Sequence, residues 1–238
     1  MSLPLTDRVI MVTGAAGHLG SAVTALLAMQ GAHLVAADRT APRLDRIVDA
    51  LADPSRHLRA GGVDFLDPRA CVALAEEAVN RFGRVDGLVS TVGTFAMASL
   101  EAADADHWDL LYRVNVITTL NLCRAVVPVM RGAGRGSIVT IGAAAAARAG
   151  KSSAAYAAAK SAVLRLTESL ADEFKGEGIR ANCVLPGTID TPSNRAAMPK
   201  ADPSRWASPE EVAEVIAFLL SDAAAGITGA AVPVTGRG

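Results

Sequence analysis

Arg8-Val9-Ile10-Met11-Val12-Thr13-Gly14-Ala15-Ala16-Gly17-His18-Leu19-Gly20 passes from an apolar, β-favouring run into a glycine-rich turn, and its reading decides the fold. Residues 8–13 are the kind of short apolar run that a strand buried on both faces needs. An apolar-periodic helix is predicted from Ser21 to Gln30, closed by Gly31. Strand, glycine turn and helix together form a unit that can hold a pyrophosphate. Small residues at Gly14, Ala16 and Gly17 let backbone approach the phosphates, and the helix start near His18 and Leu19 presents free N–H groups with a partial positive charge.

The next predicted strand, His33 to Ala37, ends in Asp38, about twenty residues on, where an acid can accept both hydroxyls of an adenosine ribose. A carboxylate there repels a 2′-phosphate and so favours NAD(H). Arg39 follows immediately and could accommodate that phosphate, which leaves NADP(H) open.

Beyond this unit the pattern keeps alternating. A helix over 42–51 leads to a strand near Leu58 to Val63, followed by Asp64 and Phe65. A helix over 68–82 precedes a strand over 86–91 and the turn Val92-Gly93. A long helical stretch runs from Ala105 to Met130, then a strand over Ser137 to Ile141, a helix from Ser152 to about Lys175 and a strand from Ile179 to Leu185, ended by Pro186-Gly187. A last helix over 209–220 and a strand around 230–234 complete the chain. Short connections between alternating elements predict an α/β domain spanning residues 1–238, a doubly wound parallel sheet of about seven strands with helices on both faces. Ligands bind such sheets at the carboxyl ends of the strands, where Gly93 lies. The long connection from Thr188 to Ala207 has the character of a lid or substrate loop.

Composition narrows the function classes. The 238 residues carry a formal net charge of −1, and no basic patch stands out to neutralise nucleic-acid phosphates. No apolar run is expected to span a membrane, and a strand is expected to start within the first ten residues. Cys71, Cys123 and Cys183 are far apart in apolar or helical contexts, with no metal-ligand spacing. This fits a reducing cytoplasm without a metal or disulfide framework.

The chemistry-bearing pair is Tyr156 and Lys160, four residues apart in an Ala-rich helical segment and therefore on one face, a turn apart. An ammonium beside a phenol favours the phenolate, so the tyrosine's pKa is expected to be lowered toward neutrality, where it can donate and accept protons. Asn115 lies amid Val114, Val116, Ile117 and Leu120, and on such an apolar face an asparagine ordinarily satisfies backbone groups.

With these residues in place, the whole chain resembles the short-chain dehydrogenase/reductase family, a single-domain Rossmann fold. The family pattern TGxxxGxG meets Thr13 to Gly20, YxxxK meets Tyr156 and Lys160, and Pro-Gly after the sixth strand meets Pro186-Gly187. The resemblance implies hydride transfer between a nicotinamide and a small carbonyl or activated imine, with Tyr156 supplying or removing the proton. It implies that Lys160 binds the nicotinamide ribose, that Asn115 holds a water serving Lys160, that Ile189 and Thr191 hold the carboxamide, and that Asp64 contacts the adenine. It also implies a homodimer or homotetramer paired through the two long helices.

Three positions depart from the pattern: His18 stands at its middle glycine, Ser90-Thr91-Val92-Gly93 replaces Asn-Asn-Ala-Gly, and Ala143 stands where the family has its catalytic serine. Dihydropteridine reductases share that alanine, and the loop from Leu185 to Asp202 looks like theirs. Reduction of a dihydropteridine or of a 3-oxoacyl thioester are therefore alternatives. A further alternative is an NAD(P)-binding regulator or scaffold that has lost turnover.

Overall fold

The computed structural model describes residues 4–237. Along the chain run β1 (Val9–Thr13), α1 (His18–Met29), β2 (His33–Asp38), α2 (Ala41–Asp49), β3 (Leu58–Gly61), α3 (Pro68–Phe82), β4 (Gly87–Ser90) and α4 (Ala105–Tyr112). A π-helical turn (Arg113–Ile117) joins α4 to α5 (Thr118–Ala133). Then come β5 (Gly136–Ile141), α6 (Ala144–Ala147), α7 (Ala154–Phe174), β6 (Ile179–Pro186), α8 (Pro192–Ala197), α9 (Pro209–Leu220) and β7 (Ala231–Val234). The strands form one parallel sheet in the order β3-β2-β1-β4-β5-β6-β7. The order reverses between β1 and β4, and such a switch point opens a crevice at the carboxyl ends of the strands.

The period of two along a strand explains how the sheet is covered twice. Ile10 and Val12 of β1 point into a core with Val23 and Leu27 of α1, Leu44 and Val48 of α2, and Ile216 of α9. Val9 and Met11 point the other way, toward Leu74 of α3 and Leu122, Val126 and Met130 of α5. A smaller cluster of Val116, Ala159, Val163, Leu164, Cys183 and Leu185 backs the carboxyl ends of β5 and β6.

At the amino edge of the sheet, buried Asp86 accepts from the Val9 N–H at 2.9 Å, from Arg84 Nε at 3.0 Å and from Arg135 Nη2 at 2.8 Å. Burial alone would raise this carboxyl's pKa; the Val9 N–H and the Arg135 and Arg84 guanidiniums overcome it and hold the group below the usual carboxylate range.

Several expectations shift. Helix α1 starts at His18 instead of Ser21, because Gly17 supplies the extended residue before the first turn. Residues 188–207 carry structure of their own: α8 is capped by the Thr191 side chain, and Ala207 bridges back to Ile189 through Ala207 N to Thr188 O (3.1 Å) and Asp190 N to Ala207 O (2.8 Å). The expected absence of a spanning apolar run is also corrected. By length and composition Ala105–Ala133, continuous through the π turn, is apolar enough to cross a membrane, and 61% of its most apolar window is buried inside the protein, as in a central core helix.

Candidate active site

The glycine turn meets the requirement read from its sequence through close approach. A Cβ on Gly20 would lie 2.0 Å from the Gly14 carbonyl oxygen, so only glycine lets α1 begin directly beneath the turn. Gly17 precedes α1 in extended conformation with no side-chain cap, leaving the first amides of the helix facing the turn. His18 is the first residue of α1 and its side chain is exposed.

Asp38 closes this end. One carboxylate oxygen accepts from Ala16 N at 3.0 Å and the other from Thr40 N at 2.8 Å, so the acid is oriented by the turn and by its own strand end. From here a cavity of about 430 Å³ runs over the switch point. Of the expected cofactor residues, Gly14, Gly17, Asp38, Arg39, Asp64, Phe65 and Gly93 line it. Ala16 acts through Asp38. His18, Leu19, Tyr156, Lys160, Pro186, Ile189 and Thr191 are not among the lining residues; Ile189 and Thr191 are tied into the α8 segment, where Asn194 Nδ2 donates to Ile189 O at 2.8 Å.

The far end of the cavity is Gly93 and Thr94, and here the second set of residues converges. A Cβ on Gly93 would meet Asn115 Oδ1 at 2.8 Å and Lys160 Nζ at 3.2 Å. Gly93 is therefore more than a turn residue: its missing side chain lets β4's end sit against both groups. Asn115 occupies the middle of the π turn, fully buried. Its Oδ1 accepts from Thr94 N at 3.2 Å, and its Nδ2 donates to Thr94 O at 3.0 Å and Leu111 O at 2.8 Å. The side chain thus satisfies backbone, as the apolar-face reading expects, and in doing so fixes the segment after β4. Carbonyls of the widened turn are capped by hydroxyls: Thr118 Oγ1 donates to Val114 O at 2.7 Å and Thr119 Oγ1 to Asn115 O at 3.0 Å.

Tyr156 and Lys160 share one face of α7, as their spacing requires. Lys160 Nζ donates to Ile141 O at 2.8 Å and lies 6.0 Å from the centre of the Tyr156 ring. The pKa expectation is overturned: burial pushes the Tyr156 phenol up to about 12 and pulls the Lys160 amine down to about 8. Sequence spacing gives the shared face but not the direction of the amine, which reaches past the ring to the β5 carbonyl, so desolvation dominates both groups.

Ala143 is buried immediately before α6, at the position where the family pattern has a serine. Neither neighbouring serine takes its place: Ser153 Oγ donates to Gly150 O at 2.8 Å, and Ser152 sits in the left-handed region at φ +57° with its carbonyl accepting from Ala98 N.

The residue sequence reasoning missed is Phe95, whose ring stands edge-on to Tyr156 at 4.8 Å and 87°. It lies in irregular chain, where periodicity carries no signal; its only marker is a position two residues beyond Gly93. Thr94, Leu110, Val114 and Thr118 also line the cavity without having been singled out.

A dinucleotide fits these residues: the cavity runs from a turn closed to a Cβ at Gly14 and an oriented acid at Asp38 to Gly93, behind which the buried Lys160 amine lies. Residues 14–236 match the family model described as enoyl-(acyl carrier protein) reductase. The chain is similar to cis-4-hydroxycyclohexanecarboxylate dehydrogenase of Sinomonas cyclohexanicum, 37% identical and covering 99% of this chain and 98% of that one. It is similar to 3-oxoacyl-[acyl-carrier-protein] reductase of Thermotoga maritima, 32% identical with 98% of each covered. Among solved structures, levodione reductase superposes with a TM-score of 0.90 at 30% identity, covering 98% of this chain and 97% of that one.

Proposed function

Because the chain belongs to the short-chain dehydrogenase/reductase family of NAD(P)-dependent oxidoreductases, we propose that it passes hydride between NAD(H) and a small carbonyl or activated imine, with Tyr156 as proton donor and acceptor. The observation that carries this reading is the convergence at Gly93, where the end of the dinucleotide cavity meets Asn115 and Lys160, with Tyr156 one helical turn away.

When bound, the nicotinamide supplies the hydride or accepts it. The protein's part is protonation and placement. A phenol near 12 is protonated at neutral pH, so Tyr156 is poised to donate to the oxygen or nitrogen that the reduction leaves negative. Lys160 uses one N–H on Ile141 O, and an ammonium has three, which leaves two for the nicotinamide ribose. Asn115 holds Thr94 and through it the cavity end. Gly14, Gly17 and the first amides of α1 take the pyrophosphate. Asp64 and Phe65, which line the cavity, would take the adenine, while Ile189 and Thr191, which the family pattern assigns to the carboxamide, lie outside that lining. Residues 188–207 leave β6 beside the end of β5 and cover the substrate.

Asp38, oriented by two backbone N–H groups, supports NAD(H) over NADP(H), although Arg39 lines the same cavity. Self-association through the helices over 105–133 and 154–174 is supported by Trp108 and Tyr112, exposed on α4. Buried, unbridged Cys71, Cys123 and Cys183 support a reducing compartment such as the cytoplasm.

The test is NADH and NADPH oxidation across cyclic ketones, diketones, quinones, quinonoid dihydropterin and 3-oxoacyl thioesters. The reading expects turnover with at least one, a KM for NADH at least about tenfold below that for NADPH, and a loss of about 10²–10⁴ in kcat for Tyr156→Phe. Ala143 favours a second reading, an NAD(P)-binding regulator. NADH binding without turnover of any of these compounds would support that reading instead.

A further inference from the structure

Phe95 and Met97 are 54% and 62% exposed, yet they sit on a strap that is held at both ends. Asn115 fixes Thr94 on one side through two hydrogen bonds. On the other side Ala98 N donates to Ser152 O at 3.0 Å, from a serine held in the left-handed region that non-glycine residues rarely adopt. The strap therefore presents Phe95 in a T-shaped contact with Tyr156 in one fixed place, with about half of the residue, 54%, exposed. Large apolar surface left exposed on a braced segment at a reaction centre marks contact with something apolar.

The polar side chains around it point to the same conclusion. Asn115 is engaged by Thr94 and Leu111 and Ser153 by Gly150, while Ala143 has no hydroxyl to offer. A substrate rich in hydroxyls would lose its water there and find few partners in return.

We propose that Phe95 is the specificity-determining residue of the site, presenting apolar surface beside Tyr156, so that the substrate is an apolar ketone in preference to a polyhydroxy ketone. The inference rests on the oxidoreductase reading above and adds the substrate class. In the reduction the nicotinamide C4–H bond breaks and a C–H bond forms at the carbonyl carbon. The C=O π pair moves to oxygen, and the Tyr156 O–H proton completes the secondary alcohol, leaving oxidised cofactor.

Cyclohexanone and dihydroxyacetone serve as probes, each followed by NADH oxidation and, independently of turnover, by saturation-transfer NMR on the protein with NAD+. Cyclohexanone is expected to show saturation transfer and the larger kcat/KM. Phe95→Ala is expected to lower its kcat/KM on the order of tenfold or more, mostly through KM, and to abolish the transfer, while changing dihydroxyacetone less than about twofold. Phe95→Leu, which keeps an apolar side chain, should restore part of the loss. Dihydroxyacetone preferred over cyclohexanone, an equal fall for both, or cyclohexanone transfer that survives Phe95→Ala overturns the proposal. Cyclohexanone binding that depends on Phe95 but yields no NADH oxidation leaves the specificity assignment standing and counts against the oxidoreductase reading.

Discussion

The two ends of the sheet each bury one ionisable side chain, and they treat it in opposite ways. At the amino edge Asp86 is surrounded by the Val9 N–H and the Arg84 and Arg135 guanidiniums, with Arg8 Nη1 at 3.9 Å. At the carboxyl edge Lys160, equally buried, has one carbonyl from β5 and the flank of an aromatic ring. The surplus of partners drives Asp86 further into its charged form, while their scarcity drives Lys160 toward its neutral one. A charge that serves the fold is completed by the fold. A charge that serves a ligand is left incomplete.

The largest effects should separate these roles. Lys160→Ala is expected to lower kcat by about 10²–10⁴ while leaving the thermal midpoint unchanged or raised, because it removes a poorly satisfied buried charge. A large fall in the midpoint would show that Lys160 is structural after all and erase the contrast. Gly93→Ala should come next: its Cβ would press on Asn115 Oδ1 and Lys160 Nζ, and a displacement of about 1 Å at such a centre costs on the order of 10² in rate. Steady-state kinetics of a folded variant read this directly.

Asp86→Ala should do the reverse. Its arginine partners can turn to solvent, but the Val9 N–H is left buried and unpaired, costing about 2 kcal/mol in denaturant unfolding with kcat per folded molecule unchanged. The sign with pH follows. The folded carboxyl titrates below its unfolded value of about 3.9, so its contribution is complete above that pH and is lost as pH falls through the folded pKa. Asp86→Asn should flatten that acid limb of the stability curve, and an unchanged limb would remove Asp86 from its cause. The smallest effect is expected for Ala143→Ser, a kcat gain below about tenfold on a cyclic ketone. A gain of about 10²–10³ would mean that the site lacks a donor it needs.

What the sequence could reveal divides along similar lines. Strands over 9–13 and 33–38 and helices over 68–82 and 209–220 were legible because burial imposes a period on them. Asp38, Tyr156 and Lys160 were legible because a chemical group at a fixed spacing is already a geometric statement. Three features were not. The direction of the Lys160 amine depends on Ile141, nineteen residues away in sequence. Phe95 depends on a strap held by Asn115 and Ser152, partners that no local pattern names. The π turn at Asn115 has no periodic signature of its own, since the apolar residues on either side keep helical spacing.

That wide turn has a consequence for how such a site is inherited. A helix advances about 100° per residue, so one surplus residue resets the angular phase of everything beyond it. Deleting a single residue between 113 and 117 would turn the Thr118 and Thr119 hydroxyls, and Asn121 with its bonds to Phe65 and Leu66, a quarter of a revolution or more from their present bearing. The helix could remain a good helix and still no longer aim at the cleft. Selection at this point acts on the count of residues as much as on their identity.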